Sequence, residues 1–290
     1  MTNKPSTVKG SRLSTFFKRD PLIFWGGAVV SILVITALTA QWIAPYDPLL
    51  QVLNDRLLPP SLHHWMGTDQ FGRDVFSRLL YGSRISLAVG FVAVSIFILI
   101  GTTVGAVAGY YGGWVDGLLM RLVDVVLCIP TFLLILMVIA FVGPSILNIM
   151  VVIGLTAWTD VARLVRGEFL SLKEREFIQA AKLIGMRDSR LIWKHMLPNA
   201  MGPVLVAATL GVGTAILLES SLSYLGLGVQ PPTASWGNML MEGKEHLTDA
   251  WWLVTFPGLA VFFTVLGYNL LGEGLRDMLD PRLKGSGRNG

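Results

Sequence analysis

Few residues in this 290-residue chain have the types and spacing that catalysis, metal binding or phosphate binding requires. The four histidines lack metal-ligand spacing, and the single cysteine, Cys128, lies in an apolar run without a partner for a disulfide or a metal cluster. No nucleophile is paired with a base, and the phosphate-binding pattern G-x-x-x-x-G-K-[ST] does not occur. The sequence therefore predicts no catalytic residue, no metal site and no bound cofactor, and it predicts that Cys128 is a small buried apolar side chain.

Composition indicates that the elements which position the polar side chains are membrane-spanning helices. Charged residues make up 14% of the chain and hydrophobic residues 53%, with a mean hydropathy of +0.61. Soluble domains carry about a quarter charged residues, and charge is what a bilayer excludes most strongly. The sequence therefore predicts an all-α polytopic membrane protein and largely excludes a soluble enzyme.

The predicted spans are long intervals without charge, each long enough for the roughly 20 residues that cross a hydrocarbon core. Gly143 and Pro144 divide the longest interval, because proline lacks a backbone N–H and disfavours a helix before it. Six transmembrane helices result. They lie between Asp20 and Asp47, Arg84 and Asp116, Gly117 and Gly143, Ser145 and Val165, Lys194 and Glu219, and Asp249 and Glu273.

Basic residues indicate the orientation, because cytoplasmic segments carry an excess of lysine and arginine. Most of the 23 basic residues fall on the side of the N-terminus, which predicts that both termini are cytoplasmic. The first apolar stretch is too long for a cleaved signal peptide and is predicted to remain as an anchor. The predicted organisation is a cytoplasmic segment (1–20), a first span (21–44), an extracytoplasmic segment (45–84), a five-span core (85–275) with a cytoplasmic loop (166–198), and a cytoplasmic tail (276–290).

The cytoplasmic loop contains the most informative pattern. An apolar period predicts one helical face made of Phe177, Ala180, Ala181 and Ile184, with Glu176, Gln179 and Lys182 opposite. Gly185 ends this helix, Asp188 or Ser189 caps a second short helix, and Pro198 suits the first turn of the next span. Two interpretations stay open: an amphipathic helix on the lipid surface, or a docking element for a partner.

Part of this loop resembles the EAA motif of ABC-importer permeases, E-A-A-x3-G-x9-I-x-L-P. The matching residues are Ala180, Ala181, Gly185, Leu197 and Pro198, whereas Gln179 replaces the acidic residue and His195 replaces the isoleucine. The resemblance implies a loop that couples the chain to an ATPase. Its residues would be Glu176, Gln179, Ala180, Ala181, Gly185, His195, Leu197 and Pro198.

Further segments over residues 20–284 resemble, in order, the second permease subunit of the dipeptide/oligopeptide/nickel class of ABC importers. They are APYDP (44–48), HWMGTD (64–69), GRDVFSR (72–78), YGSRISL (81–87), GYYGG (109–113), MRLVD (120–124), LSYLGLG (222–228), PPTASWG (231–237), NLLG (269–272) and GLRDMLDPR (274–282). The resemblance implies an N-terminal anchor span before a five-helix type I importer core in a bacterial inner membrane.

The same resemblance implies the partners and the cargo. A homologous second permease would share the translocation pathway, two cytoplasmic ABC ATPases would bind ATP and Mg, and an extracytoplasmic solute-binding protein would deliver the substrate. Di- or oligopeptides are the expected substrate, with a nickel complex or glutathione as alternatives. Nucleic acid is not an expected partner.

Two polar residues in the spans are candidates for the pathway. Glu219 lies about 32 Å along a helix that starts near Pro198. It therefore lines the pathway or a gate, or it is an interfacial residue bonded to the segment 220–228. Asn269, inside the last span, either bonds a neighbouring helix or lines the pathway.

Other polar and aromatic residues have structural interpretations. Arg121 and Asp124 are three residues apart and are predicted to pair on one helix face. The outer segment 67–84 either contacts the delivery protein or, as the favoured interpretation, lies at the membrane surface with its arginines on headgroups. Trp251 and Trp252 are predicted to be interfacial anchors.

Two other classes of protein compete with the permease interpretation. A self-sufficient ion-coupled transporter requires ionisable residues at mid-membrane and repeat-related broken helices, and the spans offer almost no deep charge and no evident repeat. A membrane-embedded hydrolase requires a nucleophile with a positioned base or a metal cluster, and neither is apparent.

Overall fold

The computed structural model describes residues 21–279, and this part of the chain is built from helices. The predicted segment 1–20 and residues 280–290 of the predicted tail lie outside the described residues. The helices are α1 (Pro21–Ile43), α2 (Val75–Tyr111), α3 (Gly113–Leu127), α4 (Thr131–Val142), α5 (Ile146–Thr156), α6 (Trp158–Lys173), α7 (Glu176–Leu183), α8 (Asp188–Arg190), α9 (Leu197–Tyr224), α10 (Trp236–Gly243) and α11 (Trp252–Leu279). A π-helical turn, Leu191–Met196, joins α8 to α9.

Five helical stretches are long and apolar enough to cross a membrane. They are Pro21–Ile43, Val75–Tyr111, Ile146–Lys173, Asp188–Tyr224 and Trp252–Leu279. A sixth span results if α3 and α4, which meet at a bend of 80°, count as one. The predicted turn at Gly143 is present: this glycine has a φ of +89°, and the Ser145 side chain caps α5.

The bend between α3 and α4 lies at Cys128–Pro130, where the sequence predicts a continuous span. Proline cannot donate a backbone hydrogen bond and disfavours helical geometry in the residue before it, so α3 ends at Leu127 and α4 begins at Thr131. Cys128 is exposed at this bend, and the prediction that it is buried is therefore wrong. An apolar run does not reveal that a bend carries one of its residues out of the packed bundle.

The long helix α2 lies at the centre of the bundle. It begins at Val75, inside the predicted extracytoplasmic segment, because the Asp74 side chain accepts a hydrogen bond from the Ser77 N–H and caps it. Gly101 and Gly105 let α2 approach α6: a Cβ at Gly101 would lie 2.7 Å from the Trp158 carbonyl oxygen, and one at Gly105 would meet that of Ala162. Small residues permit such close helix packing in membranes.

The two ends of the bundle differ in character. One end, called the cap, consists of residues 44–74 and 225–251, which pack over the start of α2 and the end of α9. The other end, called the loop end, holds α7, α8 and the π-helical turn beside the last turn of α2. The polar side chains of the cap and those of the loop end therefore lie at opposite ends of α2.

Candidate functional site

At the loop end, α7 buries only one narrow face. Ile178 and Ala181 are buried, whereas Phe177, Leu183 and Ile184 are 48%, 88% and 80% exposed. Of the predicted face of Phe177, Ala180, Ala181 and Ile184, only Ala181 packs against the bundle, whereas the other three are exposed. The helix has an apolar side wider than its contact with the bundle, and periodicity does not show which part is covered.

Gly185 closes α7 as the sequence predicts. It has a φ of +77°, and the Met186 N–H donates to the Ala181 carbonyl oxygen at 3.1 Å, as in a left-handed helix end. The space around a Cβ at this position is open, so the backbone conformation is what favours glycine. Gly185 thus fixes the angle at which the chain leaves α7.

The second short helix starts differently from the prediction. Its N-cap is Arg187, without a side-chain cap, so the predicted capping role of Asp188 or Ser189 is wrong. Asp188 instead accepts a hydrogen bond from the Tyr110 hydroxyl at 2.6 Å. The sequence offered no signal for this bond, because its two residues are 78 positions apart.

The chain then enters α9 through the π-helical turn. Leu191 and Met196 are buried, and α9 begins at Leu197 with Pro198 in its first turn, as predicted. His195 is half-buried, and its carbonyl oxygen accepts from the Asn199 side chain at 2.6 Å. Within residues 21–279, no group of three His, Cys, Asp or Glu side chains could hold a metal ion.

Side chains from α2, α3 and α6 tie this region to the bundle. The Lys173 ammonium donates to the Tyr110 carbonyl oxygen at 2.8 Å, and Arg166 donates twice to Asp116, at 2.5 and 2.6 Å. Such bidentate pairs define geometry as well as adding energy. The last turns of α2 and α6 are therefore joined by polar bonds as well as by apolar packing.

The predicted pair of Arg121 and Asp124 is wrong. Asp124 accepts from Arg163 of α6 at 2.6 Å, and both of these side chains are about half exposed. A partner on the neighbouring helix thus replaces the one three residues away. Exposed pairs of this kind contribute roughly 0–1 kcal/mol.

At the cap, Arg73 and Arg78 are buried, with exposed fractions of 2% and 1%. Arg73 bonds Asp69 at 2.6 Å and Glu242 at 2.8 Å, while Arg78 bonds Glu242 at 2.9 Å. The favoured interpretation, with these arginines on headgroups, is therefore wrong, and their burial also removes them from direct contact with a delivery protein. Glu242 lies 164 positions beyond Arg78, so sequence spacing could not pair them.

The two adjacent tryptophans at the start of α11 have different surroundings. Trp252 is 4% exposed and its indole N–H donates to the Thr68 carbonyl oxygen at 3.1 Å, so its prediction as an interfacial anchor is wrong. Trp251 is 53% exposed, and its anchor role stays a prediction. Arg84 is half-buried, and its guanidinium donates to the Ala37 carbonyl oxygen of α1 at 2.6 Å.

Glu219 has no exposed surface. Its carboxylate accepts from Ser223 at 2.7 Å and from Ser235 at 2.9 Å. Ser235 is also the N-cap of α10, where its oxygen accepts from the Asn238 N–H. Glu219 therefore holds the start of α10 against α9, whereas Asn269 on α11 is exposed on the outside of the described chain.

These elements define a class of protein: a helical membrane bundle with an exposed helix–turn–helix loop between two spans. Residues 101–285 match the family described as "binding-protein-dependent transport system inner membrane component". Residues 15–60 match the "N-terminal TM domain of oligopeptide transport permease C". The chain belongs to this family of inner-membrane permease components, which confirms the predicted resemblance and the multi-pass location in the inner membrane.

Curated relatives agree with the family. The chain is 46% identical to a dipeptide transport system permease protein of Alkalihalophilus pseudofirmus, over 89% of this chain and 86% of that one. It is 39% identical to a probable D,D-dipeptide transport system permease protein of Escherichia coli, over 97% and 95%. A glutathione transport system permease protein of Escherichia coli is 45% identical, over 93% and 89%.

Solved structures share the fold. An inward-facing methionine ABC transporter matches with a TM-score of 0.56 and 21% identity, over 70% of this chain and 97% of that one. An amino acid ABC transporter matches with a TM-score of 0.52 and 15% identity, over 70% and 93%. The predicted all-α permease fold and the function as an importer permease are thus confirmed, and the ion-coupled alternative receives no support from these relatives.

Proposed function

We propose that the chain is one of two homologous permeases in an importer of di- or oligopeptides, with two ATPases on the cytoplasmic side and a solute-binding protein outside. The relatives named for dipeptide transport support this substrate class. Glutathione is the second candidate, because a glutathione permease is almost as similar. A nickel complex, the other alternative, has no comparable support among these relatives.

In this proposal the loop end faces the cytoplasm, and so do both termini. Basic residues favour this orientation, since cytoplasmic segments attract lysine and arginine. The basic residues of α6 and of the segment between α6 and α9 are Arg163, Arg166, Lys173, Arg175, Lys182, Arg187, Arg190 and Lys194. In the cap, Arg73 and Arg78 are neutralised by Asp69 and Glu242, so they do not oppose the rule as free charges.

The observation that carries the proposal is the exposed apolar side of α7. Phe177, Leu183 and Ile184 form this side on a helix that is accessible in the isolated chain. Large exposed apolar patches mark interaction sites, and the exposed Ala180 permits close approach of a partner. We assign α7 to a groove of an ATPase, with ATP, Mg and hydrolysis in that partner and no catalytic group in this chain.

The remaining candidates divide between structure and pathway. Glu219, buried and bonded to two serines, is proposed to hold the cap rather than to line the pathway. Asn269 is proposed to face the second permease or the pathway, because an exposed amide is costly against lipid. Gln179 is exposed, so the acidic slot of the loop presents a neutral amide to the partner.

The test is a pull-down of the tagged chain from its host in mild detergent, with the partners identified and counted. Leu183→Glu is compared with Leu62→Glu, the same change at a position that is 94% exposed in the cap. Burying an unpaired carboxylate is strongly unfavourable. We therefore expect the pull-down with Leu183→Glu to recover at least about tenfold less ATPase than the wild type, which corresponds to a loss of 1.4 kcal/mol in binding free energy. Leu62→Glu should recover as much ATPase as the wild type.

Two results would contradict the proposal. A wild-type chain that is purified folded but without an ATPase would remove the importer assembly itself. Equal ATPase recovery with Leu183→Glu and Leu62→Glu would remove α7 as the docking element, whatever the partners are.

A further inference from the structure

Tyr110 is a buried aromatic residue at the end of α2 that contacts three parts of the loop region. Its hydroxyl donates to Asp188 at the start of α8, and its backbone carbonyl accepts from Lys173 at the end of α6. The Lys182 ammonium of α7 lies 5.4 Å from the centre of its ring. Its exposed fraction is 6%, whereas the next residue, Tyr111, is 56% exposed.

These contacts differ in kind and therefore restrict different motions. The bond to Asp188 is charge-assisted and directional, the ammonium above the ring is held electrostatically, and the Lys173 bond holds the end of α6 against the backbone of α2. The loop region itself buries few side chains. The buried ones are Ile178 and Ala181 on α7, and Leu191 and Met196 in the π-helical turn that follows α8.

The neighbouring packing makes α2 a stiff base for these bonds. A Cβ at Gly109 would lie 2.6 Å from the Phe169 Cβ, so α2 and α6 are in close contact at the residue just before Tyr110. A displacement of the loop can therefore pass directly to α2 through the contacts at Tyr110 and the adjoining apolar cluster, which contains Phe169 and Ile178.

We propose that Tyr110 is a positioning residue that makes α7 and α8 move as one rigid body with α2 and α6. This inference rests on the proposed function, in which an ATPase displaces α7. The displacement then reaches the cap end directly along α2, rather than only through the covalent connections to α6 and α9. Interfaces that switch between discrete arrangements transmit motion in this manner.

The experiment measures a distance within the purified complex. Spin labels are placed at Ser189, which is exposed on α8 and lies outside the apolar side of α7, and at Thr103, which is exposed on α2, after the native Cys128 is replaced by serine. Distances are recorded without nucleotide and after trapping with ATP and vanadate. With Tyr110 intact, we expect the same distance distribution in both states, because the two labels belong to one body.

Tyr110→Phe removes only the hydroxyl, and Tyr111→Phe is its matched control. A hydrogen bond to a charged group contributes roughly 1.5 kcal/mol or more, which corresponds to about a tenfold change in the population of the released loop. We expect a broader distribution with Tyr110→Phe and none of this broadening with Tyr111→Phe. Asp188→Ala should reproduce the effect from the other side, and Asp188→Asn, which keeps an acceptor oxygen, should restore the narrow distribution.

The inference is overturned if the wild-type distance changes on trapping, or if Tyr110→Phe and Tyr111→Phe give the same distribution. A purified chain without ATPase would instead contradict the proposed function. In that case the comparison of Tyr110→Phe with Tyr111→Phe without nucleotide still decides whether Tyr110 anchors the loop. If Tyr110→Phe is not recovered folded, the Asp188→Ala and Asp188→Asn pair decides it.

Discussion

Glu219 shows how hydrogen bonds from neighbouring side chains can satisfy a carboxylate that is buried in the bundle. Its oxygens accept from Ser223, one turn further along α9, and from Ser235 across the following loop. Buried polar groups are tolerated when they are hydrogen-bonded. The sequence could suggest a bond to the neighbouring segment 220–228, but not the one to Ser235, because a loop of undetermined path separates the two residues.

The prediction at this scale is the substitution Glu219→Ala. It removes the oxygen to which the buried Ser223 and Ser235 hydroxyls both donate, so we expect a loss of about 1–3 kcal/mol in stability and a lower Tm of the purified protein. Glu245→Ala, the same change at an exposed position, serves as the control and should leave the Tm unchanged. Equal Tm values for the two variants would show that the serine bonds contribute nothing to stability.

Among the elements, the helices were easier to predict than their mutual contacts. The break at Gly143 followed from local chemistry alone, and so did the helix end at Gly185. The bend at Pro130 was missed because a proline in an apolar run is compatible with a kink as well as a stop. Periodicity could not show that Ala181 alone of its predicted face on α7 is buried, because the apolar side of this helix exceeds the surface that the bundle covers.

The contact between α2 and α6 gives a prediction for whole elements. An alanine at Gly101 would bring its Cβ within 2.7 Å of the Trp158 carbonyl oxygen, so the helices must separate. We expect Gly101→Ala to destabilise the protein by about 1–3 kcal/mol. Gly117→Ala in α3 has open space around the added methyl group and should be neutral, or stabilising by up to about 1 kcal/mol.

Thermal unfolding in detergent, followed by circular dichroism, measures both glycine variants. Unfolding of Gly101→Ala at the same temperature as Gly117→Ala would mean that the two helices can separate without loss of stability. The close approach would then be a consequence of the fold rather than a requirement for it.

The described part of the molecule consists of one bundle with a polar region at each end of α2. The cap end holds the buried pairs of Arg73 and Arg78 with Glu242, and the loop end holds the bonds of Tyr110. Composition predicted the bundle, and apolar periodicity predicted the helices of the loop. Neither could predict the buried ion pairs, because their members come from distant parts of the chain.

Substrate class is the prediction for the whole assembly. A host strain that lacks this chain and requires one amino acid should fail to grow when that amino acid is supplied only as a dipeptide. Growth should return with the wild-type gene but not with Leu183→Glu, while the free amino acid supports every strain. Unchanged growth on the dipeptide, together with loss of growth on glutathione as the sulfur source, would identify glutathione as the substrate instead.

The ion pairs of the cap also have a consequence for biosynthesis. Glu242 is translated 164 residues after Arg78, which at about 5–20 residues per second is a delay of roughly 10–30 s. During that interval Arg73 and Arg78, at the start of α2, have one shared acidic partner, Asp69, and lack the second, Glu242. The cap is therefore expected to close last, after α10 has been synthesised, and a ribosome that stalls before α10 leaves a chain with uncompensated positive charge at this end of α2.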